Sequence, residues 1–200
     1  MISLRGLMIT AALAGAGNVC FGQMLEAGIS GGGSLLRNNL LTTVDTGAAR
    51  LPVSLDGGYR ITFRLTLNTY RFFGHEGGYA YNRTKLDLGT LGQPGMAIHQ
   101  GFYNFLAYAT SEGTGVRPFA AGGVHFNNFV PPGASVQTGG GVTKFGINYG
   151  GGIKARVSPM FLMRFDLRQY HTPKPDFFVG PEPQGWLRQV EVSAGLAFTL

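Results

Sequence analysis

Residues 58–68 read GYRITFRLTLN, with Tyr59, Ile61, Phe63, Leu65 and Leu67 alternating against Arg60, Thr62, Arg64, Thr66 and Asn68. Successive side chains of a strand leave opposite faces, so the stretch predicts a strand with one greasy and one polar face. The chain ends on the same pattern. Over 186–200 the apolar set is Val190, Val192, Ala194, Leu196, Phe198 and Leu200, and between them stand Gln189, Glu191, Ser193, Gly195, Ala197 and Thr199. A sheet built from such strands needs two different environments, one on each side.

Six further segments have strand character: 25–35, 74–86, 96–109, 116–126, 142–157 and 160–170. In 96–109 the phase is open, since Phe102 and Leu106 alternate with Tyr103, Phe105 and Ala107. The connections run long, short, medium, short, long, short, long, the rhythm of an up-and-down meander with tight turns at one end and loops at the other. The long ones are 36–57, 127–141 and 171–185, and 36–57 is read as a polar connection without strands of its own. Charge follows the alternation. Every Lys, Arg, Asp and Glu of the second, sixth and seventh segments lies opposite the apolar face: Arg60, Arg64, Lys144, Lys154, Arg156, Arg164, Asp166 and Arg168.

Alternation alone does not say which face is outside, because a soluble barrel would put the apolar face inward. Three features place the apolar face outward, against lipid. The polar face is mostly Gly, Ser, Thr and Asn with charges of both signs, a good fill for a narrow lumen. The apolar face is rich in Tyr and Phe, as membrane-interface girdles are. Segments of this length also match a tilted bilayer crossing, which takes about 9–11 residues. The fold class predicted is therefore all-β, an eight-stranded antiparallel up-and-down transmembrane β-barrel, with 186–200 pairing to 25–35 to close it. Its lumen holds Arg60, Arg64, Glu76, Lys154, Arg156, Arg164, Asp166, Arg168 and Glu191, the carboxylates paired with the arginines because an unpaired buried charge is strongly unfavourable. Arg83 and Arg188 share the phase of the apolar face, and are expected near the loop end, where a cation can snorkel or meet lipid phosphates.

The first 22 residues have a positive start at Arg5, an apolar run over 7–19 and small residues at Cys20 and Gly22, the pattern of a cleaved secretory signal peptide. A lipidated Cys20 is the rival reading. Cleavage after Gly22 leaves a barrel domain over 23–200 and removes the chain's one cysteine. The formal charge of +6 would suit nucleic acid or a phosphate-rich membrane surface, but an exported protein rarely meets nucleic acid.

These residues carry a resemblance. The leader, the eight alternating segments and the ending Ser193-x-Gly195-x-x-Phe198-x-Leu200 resemble small bacterial outer-membrane β-barrels of the OmpA/OmpX type, although a terminal aromatic is commoner there than Leu200. The resemblance implies an outer-membrane location, insertion by the barrel-assembly machinery reading that C-terminal signal, lipid as the surrounding partner, and a monomer. It specifies architecture better than activity.

Chemistry-bearing constellations are sparse. His75, His99, His125 and His171 show no metal-ligand spacing, so no metal or cofactor is expected. No His-x-Ser pair occurs, and His171-Thr172 at a strand end has no evident orienting acid. The expected role is structural, or surface interaction through loops 36–57, 127–141 and 171–185, with a plugged lumen and no catalysis. A narrow pore for small solutes is the second reading and an outer-membrane lipid hydrolase the third.

Overall fold

The computed structural model describes residues 24–45, 50–134, 140–176 and 185–200. The leader expected over 1–22 and parts of the three long loops lie outside the described residues. Ten strands follow in order: β1 (Met24–Arg37), β2 (Leu40–Asp45), β3 (Arg50–Leu55), β4 (Gly58–Tyr70), β5 (Phe73–Asp87), β6 (Gly95–Tyr108), β7 (Val116–Val130), β8 (Val142–Arg156), β9 (Phe161–Pro173) and β10 (Trp186–Thr199). Eight of them, β1 and β4–β10, form a closed antiparallel ring. β10 pairs with β1 from Glu26↔Thr199 to Arg37↔Arg188, and β5 pairs with β6, so the sheet has no free edge in the ring. Closure satisfies every ladder that an open sheet would leave unpaired.

The eight alternating segments are the eight ring strands, of 13–15 residues each, and β1, β4, β5, β7 and β9 run longer than the pattern alone suggested. The tightest turn is Arg71-Phe72 between β4 and β5, whereas the segment bounds 142–157 and 160–170 place it at Ser158-Pro159. Along each strand one phase is buried in the barrel and the other is exposed on the outer wall. In β4, Arg60, Thr62, Arg64, Thr66 and Asn68 are buried, while Tyr59, Ile61, Phe63 and Leu65 are exposed. The open phase of β6 resolves with Phe102 and Leu106 inward and Tyr103 and Phe105 outward.

The polar reading of 36–57 requires correction. It contains the hairpin β2–β3, which continues from the end of β5 through Ser54↔Asp87 and Leu55↔Leu86. Leu41, Val53 and Leu55 pack with Leu86, Met96, Ile98, Phe129 and Leu187 in one buried cluster at the loop end. These last five sit on the inward phase of ring strands, so the hairpin lies across the mouth of the barrel as an apolar cap. The burial of Leu55 is complete, so the hairpin is held by removal of apolar surface from water as well as by its ladder.

Candidate functional site

Among the described residues, the alternation gathers charges of both signs in the barrel interior. Below the apolar cap lies a band of amides, with Gln100, Asn127, Asn148 and Gln189 all buried. Gln189 donates to Ser34 Oγ and to Asn82 Oδ1, at 2.7 and 3.1 Å. Ionic groups fill the next level. β5 and β9 are four strands apart around the ring in either direction, so they face each other across it. Glu76 of β5 meets Arg164 Nη1 at 2.5 Å and Arg168 Nη2 at 2.9 Å, both from β9. The pair therefore spans the lumen from wall to wall. Asn104 Nδ2 also donates to Glu76, at 3.1 Å.

Asp166 lies between the two β9 arginines, 2.7 Å from Arg164 Nε and 3.2 Å from Arg168 Nη2. A strand period of two places residues 164, 166 and 168 on one face, and the sequence Arg-Phe-Asp-Leu-Arg thus builds its own ion triad. Glu191 of β10 takes Arg60 Nε at 3.1 Å and Arg64 Nη2 at 2.8 Å from β4. It also accepts from Tyr170 Oη at 2.8 Å and Ser193 Oγ at 2.7 Å. Nearer the turn end, Lys154 of β8 forms an ion pair with Glu26 of β1 and donates to Tyr108 Oη at 2.9 Å.

Aromatic rings close the spaces between the charges. Arg60 lies 4.8 Å over Tyr170, Arg164 4.8 Å over Phe119, and Arg117 3.8 Å over Tyr108. Glycine makes room for Phe119 and for a further inward ring, Phe102: a Cβ at Gly152 would stand 2.8 Å from Phe119, and one at Gly78 would stand 2.4 Å from Phe102. Interior cavities lined by Glu26 with Arg64 and Arg164, and by Glu26 with Lys154 and Arg117, measure about 10 Å³ each. That is about the space of one water.

Of the nine charges assigned to the lumen from the sequence, eight are buried there: Arg60, Arg64, Glu76, Lys154, Arg164, Asp166, Arg168 and Glu191. Arg156 is the correction. It has the inward phase but is the last residue of β8, exposed at the turn-end rim, with no carboxylate in reach among the described residues. Two buried charges were missing from that set. Glu26 shares phase with Gly28 and Ser30, a signal that was legible; Arg117 adjoins Pro118, where the strand start obscures the phase. Among the described residues the buried total is four carboxylates against six cations. Arg117 is relieved by the Tyr108 ring and by Arg71 O at 3.2 Å.

Arg83 and Arg188 are exposed on the outer wall toward the loop end, as are Arg37 and Lys85. The C-terminal residues divide by phase. Ser193 is inside, Gly195 packs against the β1 backbone, Phe198 stacks edge-on against Phe161, and the Leu200 amide donates to Leu25 O at 2.8 Å. Lys144 Nζ of β8 lies 2.7 Å from Asp176 in the loop after β9, and this hydrogen bond holds the Asp176 carboxyl below its ordinary range.

His171 and Thr172, adjacent in a strand, point to opposite faces and do not act together. His171 faces out to Tyr149 Oη at 3.3 Å; Thr172 faces in, where its hydroxyl shares a 2.8 Å hydrogen bond with His125 Nε2. This His–Thr pair is buried within the barrel, and its His125 Nδ1 has no acid to orient it among the described residues. Among the described residues no three His, Cys, Asp or Glu side chains converge as metal ligands.

No protein-family model matches the chain, and no curated protein matches it in sequence. Solved structures do share its fold. Neisserial surface protein A is 11% identical, with 89% of this chain and 97% of that one covered and a TM-score of 0.58. The outer membrane protein OprG from Pseudomonas aeruginosa is 11% identical over 90% and 96%, with a TM-score of 0.57. Outer membrane protein AlkL, determined by solid-state NMR in DMPC lipid bilayers, is 12% identical over 92% and 93%, with a TM-score of 0.56. The chain thus has the closed eight-stranded antiparallel fold of small outer-membrane β-barrels.

Proposed function

We propose that the protein is a monomeric integral outer-membrane barrel with a closed lumen, which displays its long loops at the cell surface in a structural or surface-interaction role. One observation carries the closed lumen: Glu76 is tied to Arg164 and Arg168 on the opposite wall, with the β2–β3 cap lying above them. An eight-stranded ring leaves an interior just wide enough for side chains, and here ion pairs and rings occupy it. The membrane location is supported by the outer wall, where Phe63, Leu65, Phe165, Leu167, Val192 and Leu196 are exposed. In water so continuous an apolar belt would drive association; in a bilayer it is the solvent-matched face.

Under this reading outer-membrane lipid surrounds the wall, and the barrel-assembly machinery reads Ser193, Gly195, Phe198 and Leu200 during insertion. Loops 36–57, 127–141 and 171–185 would present the ligand surface. Planar-bilayer recording tests the closed lumen. The wild-type barrel is expected to give no sustained conductance; open events in the wild type that grow in Arg164→Ala would establish a narrow pore instead. Fatty-acid release from lipid vesicles that disappears in His171→Ala would favour a hydrolase.

A further inference from the structure

Among the described residues, the Lys and Arg side chains exposed on the outer wall of the ring are confined to the loop end, at Arg37, Arg83, Lys85 and Arg188. Two of these stand face to face. Arg37 of β1 and Arg188 of β10 are direct register partners, both are exposed, and neither has an anionic partner among the described residues. Like charges placed directly opposite across an antiparallel pair repel each other. An anion between the two guanidiniums would turn that repulsion into a clamp, because two planar forks can share the oxygens of one phosphate.

The wall below them is concave. Val190 and Val192 follow Arg188 along the outward phase of β10, and with Tyr149, Ile153, Phe165 and Leu167 they line an apolar groove of about 750 Å³. Its floor is Gly151, an outward position without a side chain. Gln169 stands at the groove head, register partner of both Val190 and Tyr149, an amide within an apolar stretch of wall. Two residues of strand separate Arg188 from Val190, a distance of about 7 Å. That is close to the reach from a lipid phosphate to the first methylenes of its acyl chain.

We propose that Arg37 and Arg188 hold the phosphate of one phosphate-bearing membrane lipid, whose acyl chain lies in the groove over Gly151 with its ester toward Gln169. The proposal rests on the membrane-spanning reading above. A lipid is the occupant that uses both halves of the site, since free phosphate has no use for the groove and a neutral lipid has none for the arginines. Cation and apolar trough are stacked along the same strand, in the order in which a lipid presents phosphate and chain.

The test is native mass spectrometry of the detergent-refolded barrel, titrated separately with dipalmitoyl phosphatidic acid, dipalmitoylglycerol and inorganic phosphate. One phosphatidic acid per barrel should bind in preference to the other two probes. Arg37→Gln and Arg188→Gln should each weaken it about fivefold. Val192→Trp, which fills the groove and leaves both arginines in place, should weaken it as well, while Arg83→Gln should not. Equal binding of dipalmitoylglycerol, binding of inorganic phosphate as tight as that of the lipid, or equal loss in Arg83→Gln would overturn the proposal. Each variant is also checked for heat-modifiable migration. An intact barrel without lipid preference removes this site alone, whereas a chain that forms no barrel in detergent removes the membrane reading beneath it.

Discussion

Glu76 holds two guanidiniums from the opposite wall, and both are buried with it. Breaking such a group on one side leaves the other charges uncompensated, which is costlier than never having buried them. Glu76→Ala should therefore destabilise the folded barrel by about 3–5 kcal/mol, measured by urea unfolding in lipid vesicles; a change within error would mean that the arginines find other partners. The outer wall gives a prediction of the opposite geometry. Phe63→Arg, at mid-wall, should cost about 2–4 kcal/mol, whereas Tyr59→Arg near the rim should cost about 0–1 kcal/mol, because the penalty falls away from the bilayer midplane. Equal costs at the two positions would contradict a bilayer around this wall. At this scale the sequence was a good guide wherever a charge sat mid-strand, since phase alone assigns it to a face. It failed at Arg156, where the strand ends and phase no longer means enclosure, and it did not foresee the rings of Tyr108, Phe119 and Tyr170 among the charges. A ring on the polar phase looks like noise until the cation facing it is known.

Among elements, the ring strands and the β2–β3 hairpin differ in how they are specified. A ring strand carries its face assignment over a dozen residues, so its alternation survives an occasional exception. The hairpin strands have six residues each, Pro52 interrupts the second, and their apolar side chains are buried by partners from β5, β6, β7 and β10. Short apolar runs with an internal proline read as loop, and what decides the matter here is tertiary burial that no local pattern encodes. If the hairpin is a cap, then Val53→Asp, which puts a charge in the buried cluster, should release it. Hydrogen exchange across 51–55 should rise toward that of an exposed loop, while β4 and β9 keep their protection. Unchanged protection of 51–55 would show that the ladder to β5 holds the hairpin without the cluster. Bilayer conductance of the same variant separates the two closures: continued silence assigns the seal to the ion pairs beneath, and new open events assign it to the cap.

The whole molecule depends on one seam. β10 pairs with β1 over residues Glu26–Arg37, and this ladder turns a meander into a ring. Within a bilayer an open seam would expose two rows of backbone N–H and C=O groups to hydrocarbon, each unpaired group costing several kcal/mol. Ring and hairpin should therefore respond differently to deletion. Removing 194–200 takes away half of the seam, including the Ala27↔Phe198 and Ile29↔Leu196 pairs, and should abolish the compact form. Removing 40–55 takes away the hairpin, whose ladder to the ring is two register pairs on β5, and should leave that form intact. Migration of unheated and boiled samples in SDS gels reports the difference, because a closed barrel resists the detergent until heated and runs as a compact species. The wild type and the 40–55 deletion should shift on boiling, and the 194–200 deletion should not. Recovery of the wild-type protein from the soluble periplasm, with no heat shift, would return the apolar phase to the inside of a water-soluble sheet and contradict the membrane assignment of the outer wall.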